Sequence, residues 1–279
     1  MAELPHQYHY AGNPPAEHRS AFEAHLHSEA YRVGIQNEVG ETLALTDEEE
    51  QQFNDVFAAT LAYYAAHHDV DITPRMPSLE NVHLLSDEGF MWLARRMGVE
   101  HDGLDVYGFL LGERDVVLRD AGDPTMNAYV LQHEIIHLIS RHVVRLQGTA
   151  RGVHYAVLRA GFVGGAPKGD STAMEEYTAE ETARGVIREC WPKFASLRNL
   201  RPEFDAHEGA LELGGVVADR TGIGRDRLLH DMQTAHITGS LWPLVREIEA
   251  IERTWGPGVN REIALTVSSK AGALAMRLA

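Results

Sequence analysis

Residues 133–137 read His133-Glu134-Ile135-Ile136-His137. On a helix, positions i and i+4 share one face a turn apart. Two imidazoles so placed can take neighbouring corners of a tetrahedral Zn²⁺ site. Glu134, one residue further round, can reach past the metal toward a bound water and take its proton without being a ligand. The pattern therefore predicts hydrolysis by a metal-activated water. With 16 histidines in 279 residues the pentapeptide is not rare by chance, so its surroundings decide its weight.

Those surroundings favour a site. Asp123-Pro124 predicts a helix start, with Asp as the cap and Pro at the first helical position. No Pro or Gly interrupts Met126 to Gln147, and Gly148 predicts the stop. Tyr129, Leu131, Ile135, Ile136, Leu138, Val143 and Leu146 make this helix apolar and largely buried. Two His and a Glu inside it would cost several kcal/mol unless paired or metal-bound. Just ahead, residues 106–111 and 114–119 are β-rich runs around Gly112-Glu113, which predicts a hairpin.

A catalytic zinc site needs a third protein ligand and an open position for water. Cys190 is the sole cysteine, which excludes a multi-cysteine zinc site. His142 lies five residues after His137, which turns it off the ligand face. A better source is the acidic run Thr172 to Thr182, which follows the Gly/Pro-rich loop Gly164 to Asp170. Ser171 or Thr172 can cap a helix there. That helix would carry Glu175, Glu176, Glu180 and Glu181, not all of which can face one metal. Those that do not can accept hydrogen bonds from the ligand imidazoles.

Over roughly residues 105–190 the chain resembles gluzincin-type zinc metallopeptidases of the compact bacterial kind. The pentapeptide carries the resemblance, together with Leu158-Arg159-Ala160-Gly161-Phe162 and Met174-Glu175-Glu176-Tyr177-Thr178. Met174 and Glu176 depart from the Asn and small residue usual beside the ligand. The resemblance implies a zincin-like α+β fold in which a strand before the motif helix pairs with an extended substrate. It implies one Zn²⁺ per chain held by His133, His137 and Glu175, with Glu176 as the rival third ligand, and Glu134 as general base. The oxyanion then needs a donor. Tyr155 and His207 are the preferred candidates, and His154, Tyr177, His230 and His236 are others. The substrate would be a peptide or protein.

Signals along the rest of the chain complete the expected architecture. Residues 1–45 read as a partly mobile N-terminal extension, with Pro5, Gly12, Pro14 and Pro15 keeping the first twenty extended. Residues 46–150 form a small mixed α/β upper subdomain with the hairpin before the motif helix. It opens on a helix from Thr46, whose capping-box partner is Glu49, and includes a strand at 81–85 and a helix at 86–96. Residues 151–279 form a hairpin and a mostly helical lower subdomain, with helices over 172–189, 202–218, 225–234, 241–254 and 260–278. The 44% hydrophobic content suffices for a sizeable core. A net charge of −16 excludes nucleic acid as the expected partner. No apolar run is long enough to span a bilayer, and the first residues lack the features of a secretion signal. A cytoplasmic location is therefore expected. Two other readings stand beside the peptidase. One is a zincin-fold metal-binding protein with a regulatory role, and the other is a helical interaction protein with a chance motif. Two His and one carboxylate could also hold Fe(II).

Overall fold

The computed structural model describes residues 2–3, 8–98, 106–140, 142–149, 152–160, 163–164, 172–191 and 205–279. The chain is a mixed α+β protein, mostly helical. Its N-terminal part contributes β1 (Ala2–Glu3), β2 (Tyr8–Tyr10), α1 (Ala16–Leu26) and α2 (Glu29–Val39). Within the first twenty residues, expected to be extended, 16–20 are instead helical. Tyr8, Phe22 and Leu26 pack with Val144 and Leu146 in a small core, and the Tyr8 and Phe22 rings meet edge-on at 5.1 Å.

Helix α3 (Asp47–His68) begins where its capping box predicts. Thr46 accepts from the Glu49 N–H, and the Glu49 carboxylate accepts from the Thr46 N–H at 2.8 Å. After β3 (Val70–Asp71), which pairs with β1, come β4 (Val82–Leu85), α4 (Asp87–Met97), β5 (Gly108–Leu111) and β6 (Asp115–Arg119). The order β4-β6-β5 makes a three-stranded sheet, parallel between β4 and β6 and antiparallel between β6 and β5. Gly112 turns the predicted hairpin with φ +64. Alternation splits the sheet's side chains between two cores. Val82, Leu84, Val116 and Leu118 join the main core, while Leu85, Phe109, Leu111 and Val117 pack with Phe90 and Leu93 of α4.

The motif helix is α5 (Pro124–Leu138). Asp123 caps it, accepting from the Thr125 N–H at 2.9 Å. It ends well before the expected Gln147. The chain continues as β7 (His142–Thr149), antiparallel to β8 (Gly152–Ala160), in a four-stranded sheet of order β2-β7-β8-β9 with β9 (Val163–Gly164). The physical reason is a change of period. Val144 and Leu146 are buried while Arg145 and Gln147 are exposed, which is strand alternation rather than a helical stripe.

Among the described residues six α-helices follow: α6 (Ala173–Cys190), α7 (Asp205–Thr221), α8 (Arg225–Thr238), α9 (Val245–Trp255), α10 (Val259–Leu265) and α11 (Ala271–Leu278). The single helix expected over 260–278 is broken. At the break, Thr266 accepts from the Ala173 N–H at 2.8 Å and Val267 bridges to Thr172, so these groups secure the start of α6. Helix α6 belongs to both large cores. Ala179 and Val186 pack with Tyr64, Leu131 and Ile135, whereas Met174 and Tyr177 pack with Leu213, Val217 and Leu274. Buried Arg75 ties the two parts together, donating to the Ile139 carbonyl at 2.9 Å and the Ile237 carbonyl at 2.7 Å. Those carbonyls close α5 and α8, where a cation is also favoured by the helix dipole. Among the described residues no helix is long and apolar enough to cross a membrane.

Candidate metal centre

Helix α5 lies against α3, α6, β5 and β6, so the motif face is enclosed by both parts of the chain. One helical turn brings His133 and His137 together, with their Nε2 atoms 3.2 Å apart. The carboxylate that joins them is Glu176. Its Oε2 lies 3.1 Å from His133 Nε2 and 3.5 Å from His137 Nε2. His133 and Glu176 are buried, and His137 is partly so.

These separations can be tested against a metal. Tetrahedral zinc, with bonds of about 2.0–2.1 Å, holds its ligand atoms about 3.3 Å from one another. The three spacings here bracket that value, so one ion of that size fits among the three atoms. Two imidazole nitrogens and one carboxylate oxygen also suit zinc's donor preference. This trio is the group of metal-capable side chains found among the described residues.

Of the two glutamates expected to compete for the third position, it is the rival Glu176 and not Glu175 that lies beside the imidazoles. Glu175 occupies the third helical position of α6, and its carboxylate accepts from the Thr172 hydroxyl at 3.2 Å and from the Thr172 N–H at 3.5 Å. It closes the capping box of α6 and is not in the trio. Burial pushes its pKa up to about 7, against the opposing charge of His137. Thr172 followed three residues later by Glu175 is the capping-box pattern, a local signal for the role of Glu175, whereas the docking of α6 turns Glu176 inward.

Behind the trio stands Glu180, one turn along α6 from Glu176 and fully buried. It lies 3.3 Å from His133 Nδ1, and it accepts from Arg184 Nε at 2.8 Å and from the Tyr129 hydroxyl. A carboxylate on Nδ1 assigns the proton there and leaves Nε2 as the lone-pair donor. Burial opposes ionisation of Glu180, but His133, Arg184 and Tyr129 prevail and hold it at about 2. Burial likewise opposes charge on Glu176 and His133. The imidazoles around Glu176 nevertheless keep it well below the carboxylate range, and Glu176 and Glu180 keep His133 well above the imidazole range.

The catalytic groups expected from the sequence are Glu134, Tyr155 and His207. Glu134 is buried beside the trio, and burial raises its pKa against the pull of His133 and His137. His207, in the first turn of α7, does reach the site. Its Nδ1 is 3.1 Å from Glu176 Oε2, and its ring tilts over that of His133 at 4.6 Å. Tyr155 lies on β8, paired in register with Leu146, and its side chain is outside the described part, as is that of His154. Of the other donor candidates, His236 is buried on α8. His230 stacks on His68 at 4.7 Å, and Tyr177 packs in the helical core. Comparison of the chain with family models, with curated proteins and with solved structures found no match.

Proposed function

We propose that the protein is a zinc-dependent peptidase of gluzincin type, built on a zincin-like arrangement of sheet, motif helix and glutamate helix. The observation that carries this reading is the spacing of His133 Nε2, His137 Nε2 and Glu176 Oε2, which matches the edges of a zinc tetrahedron, with Glu134 buried beside them. Zinc held there would bring the pKa of a bound water down to about 7 and leave a position open to substrate. The chain's own groups serve the rest. Glu134, with its pKa raised by burial, is suited to accept a proton from that water and return it to the leaving amine. Glu180 fixes the His133 tautomer, and His207 and Tyr155 are the candidate donors to the oxyanion. Strand β5 ends the three-stranded sheet beside α5, and an extended peptide can add to such an edge through main-chain hydrogen bonds.

The test combines metal content with hydrolysis of fluorescently quenched casein. The purified protein is expected to hold one zinc per chain and cleave the substrate. Glu134→Gln keeps the zinc and loses turnover by about 100-fold or more. His137→Ala loses both. A Glu134→Gln protein that still turns over refutes the base, and a chain that takes up no zinc refutes the centre.

A further inference from the structure

Glycine at position 108 is not required by its backbone. Gly108 starts β5 in ordinary strand conformation, without the positive φ found at Gly112. It is half-buried and pairs with Leu118 at the start of the edge strand, where a side chain would usually strengthen the strand. What demands glycine is the helix above it. A Cβ at 108 would stand 2.8 Å from Glu134 Cγ, 2.9 Å from Glu134 Oε1 and 2.8 Å from Val130 Cγ1. Val130 and Glu134 are one turn apart on α5, so both press their side chains onto the bare α-carbon of the strand.

We infer that Gly108 is a positioning residue for Glu134: its missing side chain is the seat in which the proposed base is held, against the edge strand and beside the metal trio. This rests on the peptidase reading above. The contact limits the carboxylate on one side by backbone, which cannot rotate away as a side chain can. A methyl group there forces Glu134 to another rotamer, and a shift near 1 Å in a reacting group is enough to cost about 100-fold in rate. The three atoms nearest the added carbon belong to Glu134 and Val130 and none to His133, His137 or Glu176, so metal binding should survive the substitution. The edge strand thus has a second task, which is to set where the base points.

The experiment compares the parent chain, Gly108→Ala, Glu134→Gln and the double variant Gly108→Ala/Val130→Ala. Zinc content, melting temperature, and kcat and KM on quenched casein are read for each. The double variant removes the Val130 clash and keeps that with Glu134, so it serves if the single variant folds poorly. The expected result is one zinc per chain in both glycine variants, with kcat lowered by about tenfold to 100-fold and KM changed less. A purely structural role for Gly108 predicts instead a lowered melting temperature in the single variant with kcat restored in the double, and that result overturns the inference. A parent that binds zinc but cleaves nothing brings down the peptidase reading and this inference with it. An active parent matched by an equally active Gly108→Ala overturns the inference alone.

Discussion

Replacing Glu176 and Glu175 in turn by alanine separates the proposed ligand from its neighbour in sequence. In the structure Glu176 Oε2 stands 3.1 and 3.5 Å from the two motif imidazoles, while the Glu175 carboxylate is bonded to Thr172. With free zinc 1,000-fold above its dissociation constant, binding stabilises the folded chain by about 4 kcal/mol. At about 2–4 °C per kcal/mol for a chain of this size, zinc-loaded parent should melt roughly 10 °C above chelator-treated parent. Glu176→Ala removes one of three donors and should abolish that difference, leaving the two melting curves superimposed. Glu175→Ala removes half of a capping box, which costs about 1 kcal/mol. Both of its curves should move down by about 2–4 °C with the gap between them preserved. Scanning calorimetry with and without chelator, alongside metal analysis, reads both effects. A Glu175→Ala protein that loses its zinc while Glu176→Ala retains it would refute the geometric assignment and restore the order expected from sequence.

Two further outcomes follow from the surroundings of the site. Glu180→Gln keeps the side chain's shape but removes the charge bonded to His133 Nδ1, Arg184 and Tyr129. Zinc affinity should fall by about 10-fold to 100-fold in a chelator competition, and an unchanged affinity would show that Glu180 does not orient His133. Away from the centre, His68 is lowered from its ordinary 6.5 to about 4, first by burial and further by His230 stacked on it, against a supporting bond to Gln233. Its folded pKa lies below the unfolded one, so its contribution is full above about 6.5 and is lost as pH falls toward 4. In the presence of chelator, the drop in melting temperature from pH 7 to pH 5 should be smaller in His68→Gln than in the parent, and an equal drop would exclude His68 as a source of acid sensitivity.

Local chemistry made part of the centre legible. The i, i+4 spacing of His133 and His137 needs only a helix to bring their rings together, and Asp123-Pro124 marks where that helix starts. The caps at Thr46, Ser86 and Thr172 likewise act within a turn of their own position, and their helices begin where expected. The end of α5 was misplaced because Val143, Val144 and Leu146 are apolar enough to read as helix. Only the burial of Val144 and Leu146 in the small core formed with Tyr8 and Phe22, alternating with exposed Arg145 and Gln147, marks the segment as strand.

What the sequence determined by itself, then, is the pair of imidazoles, the acid between them and a glutamate-rich helix to complete the set, because each of these depends on neighbours within a turn or two. Tertiary structure decided which glutamate. Adjacent residues on a helix point about 100° apart, and the docking of α6 between α5 and α7 turns Glu176 and Glu180 toward His133 while Glu175 closes its own cap. The same docking brings His207 to Glu176 across a long stretch of chain, and the seating of α5 on β5 turns an unremarked strand glycine into the floor under Glu134. Contacts between distant segments are set by the packing of whole faces, and no local pattern encodes them.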